Sequence, residues 1–373
     1  MKEIDSRDFL NRLHNRKGHF PLRGLLELTY QCNLNCVHCY CKGSEDKARE
    51  LNTEEWKEIL AQLHKEGCIF ITFSGGEPLL RQDFIELYAY ARERGFIITI
   101  FTNATVLTKQ IIGFFKRFPP SKIEITLNGI TRSTYESITQ AEGSFEKVIK
   151  NIIKLETNGM PVLLKANLLK QNKDEIKKIK AFADQFFGKK EDRFHFKYDP
   201  MIYPRLNSDR GPCQYRLSHQ EMIEAMQEDS DIWDQYQASL HKDARHAKRD
   251  SIFLYHCNSW LQQFFINPFG RLKFCEYSEK FSSDLKKEPF KKGFYEKFPK
   301  VLNESFQTES KCRDCNLRHL CYYCPARAFL ETGDKESPVE HYCALAHGLK
   351  KAIQAEQSKD KERRRRIEVP IIQ

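Results

Sequence analysis

Between Leu25 and Asp199 short β-prone runs alternate with segments whose apolar residues recur at helical spacing, the pattern that builds βα units around a parallel sheet. The predicted strands are Leu25–Thr29, Ile69–Ser74, Ile97–Thr102, Ile123–Leu127, Val162–Asn167 and Phe194–Asp199. Before the first helix, Asn52 is placed to cap with Glu55 reaching back, and Trp56, Ile59, Leu60 and Leu63 then form a stripe facing the sheet. Gly67, Gly95, Gly159 and Gly188 each follow a helical stretch, where a left-handed cap favours a residue without Cβ. Six such units are fewer than the eight of a closed barrel, so the pattern predicts a partial (β/α)6 TIM-type barrel with one open side. Sites on parallel sheets lie at the C-terminal strand ends. The chain puts its unusual residues there: a cysteine cluster after the first strand, Ser74 to Pro78 after the second, and Thr102-Asn103 after the third.

Beyond residue 200 the periodicity breaks into a loop containing Tyr, Pro and Asn, followed by a polar helical stretch. The predicted organisation is an N-terminal segment (1–22), a core domain (23–217), a helical connector (218–256), a small cysteine-rich C-terminal domain (257–350) and a charged tail (351–373). With 40% hydrophobic and 30% charged residues, most of the chain is expected to fold as a water-soluble globule. No apolar run approaches the roughly 20 residues of a membrane helix, which argues against a membrane partner. The first 18 residues lack the apolar core and cleavage site of a secretory signal, so a cytoplasmic location is expected. The net charge of +10 sits largely in Lys- and Arg-rich helices and in the stretch Lys359–Arg366, which has no interleaved aromatics. Solvated faces explain it, and no nucleic-acid partner is expected.

Thirteen cysteines in a chain without an export signal point to metals, because the cytosol keeps thiols reduced. Cys32-x3-Cys36-x2-Cys39 offers three thiolates within eight residues, directly after a strand. Three ligands on a four-iron cubane leave one iron free. A structural zinc site is the alternative, although zinc fingers usually pair two dithiol knuckles. With Gly75-Gly76-Glu77 after the second strand, residues 23 to 200 resemble the radical S-adenosylmethionine (radical SAM) superfamily. The resemblance implies a 4Fe-4S cluster on Cys32, Cys36 and Cys39, and S-adenosyl-L-methionine on its free iron. Gly75, Gly76 and Glu77 match the segment that holds the methionyl amino group, with Glu77 expected to accept from that ammonium. His38 stands where relatives often carry an aromatic residue. Thr126 and Asn128 match a Ser-x-Asp-Gly segment near the ribose, while turn formation by Asn128-Gly129 is an equal account of that pair. Cys41 receives no cluster role, and Cys68 is read as a buried core thiol.

A second constellation runs through Cys257, Cys275, Cys312, Cys315, Cys321, Cys324 and Cys343. It resembles the SPASM domain of peptide- and protein-maturing radical SAM enzymes. That resemblance implies two auxiliary iron-sulfur clusters, one on Cys312, Cys315, Cys321 and Cys343, the other on Cys257, Cys275 and Cys324. Cys321-x2-Cys324 is one residue shorter than the usual spacing. A zinc ribbon is the alternative, since Cys-x2-Cys pairs are also its signature. The second set has three ligands, which leaves an iron open or calls for a distant ligand such as Cys213. Glu276 follows Cys275 at a position where relatives carry an acidic residue thought to deprotonate the substrate, and Asp199 at the end of the sixth strand is a second catalytic candidate.

By this resemblance an outside electron donor such as flavodoxin or ferredoxin reduces the first cluster, the cofactor is cleaved to a 5'-deoxyadenosyl radical, and a substrate hydrogen is abstracted. The leading expectation is oxidative modification of a peptide or protein substrate. Few residues precede the first strand, so a separate leader-peptide recognition protein is the further partner this implies. A tetrapyrrole or another cofactor precursor is the alternative substrate. A non-catalytic iron-sulfur electron carrier or sensor is the alternative of another class, and it would have no use for Gly75 to Glu77.

Overall fold

The computed structural model describes residues 18–43, 49–188, 195–241, 252–257, 261–278 and 282–367. Six βα-type strands appear in the expected order: β1 (Arg23–Thr29), β2 (Phe70–Gly75), β3 (Ile97–Thr102), β4 (Lys122–Thr126), β5 (Val162–Asn167) and β6 (Phe196–Asp199). Between them run α1 (Thr53–Lys65), α2 (Phe84–Glu93), α3 (Lys109–Arg117), α4 (Arg132–Thr139), α5 (Ser144–Thr157) and α6 (Ile176–Phe187). Phe194, the expected start of the sixth strand, lies outside the described residues. The α1 cap forms as its sequence requires: Asn52 accepts from the Glu55 amide while the Glu55 side chain accepts from the Asn52 amide. Gly67, Gly95, Gly159 and Gly188 all take positive φ, between 69° and 82°.

Each barrel strand turns two chemically different faces. Ile98, Ile100, Ile123, Ile125 and Leu164 are buried towards the helices and pack in one core with Trp56, Leu60, Leu87, Phe115 and Ile152. The opposite face looks into the barrel and carries Glu27, Glu124, Lys165 and Lys197 alongside Leu25 and Phe101. A structural barrel fills its lumen with branched apolar layers. Charges in that position mark this lumen as a place for polar ligands.

The sheet does not stop at six strands. β7 (Gln263–Ile266) pairs in parallel with β1, and β8 (Arg271–Lys273) and β9 (Ser282–Asp284) follow antiparallel, giving the order β6-β5-β4-β3-β2-β1-β7-β8-β9. The cysteine-rich half is thus continuous with the barrel sheet, through the strand that leads into the first cysteine motif. β7 has only four residues and weak periodicity, and its pairing is non-local. Gly24 makes the seam possible, since a Cβ there would lie 2.5 Å from the Phe264 ring.

The helical part after the barrel comprises α7 (His219–Gln227) and α8 (Ser230–His241), and the C-terminal half adds α9 (Phe298–Leu302), α10 (Pro325–Thr332) and α11 (Glu340–Ile367). The expected tail is, up to Ile367, the continuation of α11; its Lys, Glu, Arg and Gln residues are strong helix formers. Gly348 of α11 packs against Ile223 of α7, and the Trp233 indole of α8 donates to Glu356 of α11 at 2.6 Å. A buried Arg216–Glu331 ion pair ties the post-barrel loop to α10, and the Tyr342 hydroxyl donates to the same carboxylate at 3.0 Å. Among the described residues no helix is long and apolar enough to cross a membrane.

Candidate active site

The loop after β1 and the turn after β2 are built on each other. The Gly76 amide donates to Thr29 O at 2.7 Å, and the Glu77 amide to Gln31 O at 2.9 Å. Gly75 has φ +128°, and a Cβ on it would sit 2.1 Å from Thr29 O; on Gly76 it would sit 2.3 Å from Gln31 O. Both glycines are therefore required by chain crossing alone, before any ligand is considered.

Glu77 is held by donors of the chain itself. Its carboxylate is fully buried, accepting from the Leu79 amide (3.1 Å), the Asn103 amide (2.7 Å) and the Thr102 hydroxyl (2.8 and 2.9 Å). Desolvation pushes its pKa up to about 7 despite these donors. The side chain faces the β3 end, where the Thr102 hydroxyl and the Asn103 amide take most of its acceptor capacity. The reason is local: Glu77 caps the short turn Pro78–Leu80 and turns inward to do so. Asn103, held by Glu77 through its backbone, points its side-chain amide at Asn33 Oδ1 (3.0 Å) and Cys32 Sγ (3.7 Å). Glu77 thus reaches the first cysteine through one intermediary.

The cysteine loop is fixed by its backbone, with Asn35 N donating to Thr139 O and Val37 N to Ile138 O, both at 2.9 Å. Burial raises the Cys32 and Cys36 thiols above their ordinary value, and the neighbouring thiols add to this. Cys39 moves the other way, to about 6, chiefly because Cys41 bonds to it, Sγ to Sγ at 3.5 Å. Cys41 was given no role by its spacing, and the structure sets it against the Cys39 thiol. Three thiols, Cys32 exposed and Cys36 and Cys39 half-buried, that repel each other's negative forms fit a cationic cluster, which would offset that repulsion.

All three open on one cavity of about 590 Å³ at the C-terminal strand ends. Gly75, Gly76, His38, Thr126 and Asn128 line it, and Asp199 and Glu276 form part of its far wall. Burial lowers the His38 pKa to about 4, so the ring is neutral; its Nε2 lies 3.3 Å from the Asn128 amide nitrogen. The Asn128 oxygen is already committed to the Asn167 amide at 2.8 Å, which makes this residue a structural bridge between β4 and β5 as well as a lining group. Glu276 is pushed above the ordinary carboxylate range by burial first and by Glu27 second. Asp199 opens onto the cavity, yet the surrounding walls desolvate it and its carboxyl is also raised.

Sequence reasoning missed several lumen residues. Lys165 and Lys197, from β5 and β6, face Glu124 of β4, with Lys197 Nζ 2.8 Å from Glu124 Oε2. The available signal was a charged residue at an inward position of a predicted buried strand.

Cys312, Cys315, Cys321 and Cys343 surround a separate small cavity with Arg318 and Tyr323. The Tyr323 amide donates to Cys321 Sγ at 3.4 Å, and Cys343 lies in the first turn of α11, its thiol raised by burial first and by Cys315 second. Cys275 and Cys324 are neighbours: burial first and the Cys324 charge second push Cys275 up to about 12. Cys257 is exposed, and residues 258–260 lie outside the described residues. Cys213, the distant candidate for that set, has its thiol raised by burial first, with Arg216, Glu331 and Arg210 as its charged neighbours.

Residues 26–183 match the model of the radical SAM superfamily. That stretch, which holds Cys32, Cys36, Cys39 and Gly75 to Glu77, is a radical SAM domain. It is 27% identical over 345 residues to an AdoMet-dependent heme synthase from Methanosarcina barkeri, a match covering 87% of this chain and 96% of that protein. It is 36% identical over 186 residues to an Fe-coproporphyrin III synthase from the same organism, covering 49% of this chain and 46% of the other. Among solved structures it resembles Streptococcus suis SuiB bound to the precursor peptide SuiA (TM-score 0.69, 17% identity, 90% of this chain and 79% of that one). It also resembles anSMEcpe with bound AdoMet (TM-score 0.64, 16% identity, 88% and 92%). At such identities the two structures show a shared fold. As a radical SAM enzyme the chain takes S-adenosylmethionine and a 4Fe-4S cluster as cofactors.

Proposed function

We propose that this radical SAM enzyme oxidatively modifies a tetrapyrrole precursor bearing carboxylate side chains. The observation that carries the reading is the end-to-end likeness to a heme synthase, which runs through the barrel and the cysteine-rich half alike. The peptide substrate expected from the cysteine pattern has a shared fold behind it and no more.

When bound, the cluster and S-adenosylmethionine supply the radical that removes a substrate hydrogen. In this reading the chain's residues do the remaining work. Cys32, Cys36 and Cys39 would hold the cluster, and Gly75 and Gly76 bring their backbone to the same cavity. His38, Thr126 and Asn128 wall the cofactor. Glu276, with its raised pKa, is suited to take a proton from the substrate, and Asp199 is the second acid of the wall. Cys312, Cys315, Cys321 and Cys343 form one auxiliary ligand set, and Cys257, Cys275 and Cys324 the other. Electrons arrive from a flavodoxin or ferredoxin.

The test is anaerobic turnover with S-adenosylmethionine, reductant and iron coproporphyrin III, followed by mass spectrometry. Substrate-stimulated 5'-deoxyadenosine together with a mass change in the porphyrin is the expected result. An unchanged porphyrin, with cofactor cleavage no faster than without it, overturns the reading.

A further inference from the structure

Lys165 is a lumen ammonium that faces carboxylates without bonding to one. On β5 it pairs in register with Thr126 of β4 and Lys197 of β6, and it lines the main cavity. Lys197 is neutralised by Glu124 at 2.8 Å. Lys165 Nζ instead lies 3.4 Å from the centroid of the Phe101 ring. No hydrogen bond or ion pair closes on it among the described residues. An ammonium is expensive to desolvate without an acceptor, and a ring face satisfies its charge only in part. Burial accordingly lowers the Lys165 pKa to about 8, with Glu124 as the main opposing influence. Glu276 adds a second carboxylate to the field at Lys165 and Asp199 lines the same cavity, so what this spot offers an anion is an ammonium with open donors inside a walled lumen, where a charge-assisted contact is stronger than in water.

We propose that Lys165, supported by Lys197, is a carboxylate-binding subsite that seats one acidic arm of the substrate. The proposal rests on the tetrapyrrole reading above, since it assigns the residue that grips that substrate. Two carboxylates are available to the cavity, the substrate's and the methionyl group's. The position of Lys165 favours the first: it sits in the body of β5, two residues before the strand tip at Asn167, whereas Gly75 ends β2 and the cysteine loop and Gly76 lie beyond the tips of β1 and β2. The Phe101 face holds the ammonium in place while leaving its donors free for an incoming oxygen pair.

The experiment compares the reconstituted parent, Lys165→Met and Lys165→Arg for binding of iron coproporphyrin III and of its tetramethyl ester by absorbance titration, with S-adenosylmethionine affinity measured on the same preparations. A lost charge-assisted contact predicts that Lys165→Met binds the tetra-acid about 10- to 100-fold more weakly. The ester should bind parent and variant alike, and Lys165→Arg should recover much of the preference for acid over ester. An unchanged acid-to-ester ratio in Lys165→Met overturns the subsite. So does a fall in S-adenosylmethionine affinity with porphyrin binding intact, which would give the lysine to the cofactor's carboxylate. A parent that binds neither porphyrin sinks the tetrapyrrole reading itself, and this assignment with it.

Discussion

Glu77 is a motif residue whose partners come from the chain itself. Three backbone and hydroxyl donors converge on its carboxylate in a site without water access, and burial sets its pKa at about 7 against an ordinary 4.5. Between those values the folded state holds more protons than the unfolded one, so the contribution of Glu77 to stability falls as pH rises, by about 3 kcal/mol in all. Glu77→Gln cannot titrate, but its NH₂ group must face either the Leu79 or the Asn103 amide, at a cost of roughly 1–3 kcal/mol. The melting temperature of the variant should therefore lie furthest below the parent's near pH 5, with the gap narrowing by pH 8. A gap that stays constant across that range would mean the carboxyl does not change charge there.

At the scale of elements, the β1 loop and the β2 turn act as one unit. Gly76→Ala pushes a methyl group into the Gln31 and Tyr30 carbonyls, backbone atoms that cannot rotate away. The cysteine loop must shift, and we expect cluster iron and S-adenosylmethionine affinity to fall together, the affinity by at least about tenfold, or some 1.4 kcal/mol. Gly95→Ala is the control: φ is also positive there, but open space surrounds the added methyl group. It should cost roughly 1–2 kcal/mol of stability and leave cofactor binding intact. Equal effects from the two substitutions would reduce Gly76 to an ordinary turn glycine.

Over the whole molecule, the continuous sheet makes the cysteine-rich half part of the barrel's own edge. β7 covers β1, Phe264 lies across Gly24, and Arg216 reaches Glu331. A chain ending at His241 would leave β1 as an unpaired edge beside an uncovered apolar seam, and should aggregate on expression. A soluble monomeric fragment that binds S-adenosylmethionine, detected by size exclusion and calorimetry, would show that the two halves fold separately.

Local rules made the six barrel strands, the Asn52–Glu55 cap and the glycine helix ends legible in the sequence, because each depends on residues a few positions apart. Cysteine spacing singled out the ligand loop for the same reason. The grouping of Cys312, Cys315, Cys321 and Cys343 around one cavity also follows the sequence-based assignment, although Cys343 comes from a distant helix. Tertiary structure alone decided the inward turn of Glu77, the pairing of β7 with β1, and the meeting of Lys165 with Phe101. Each depends on which distant surface a side chain or short strand meets, and periodicity within one segment carries no record of that.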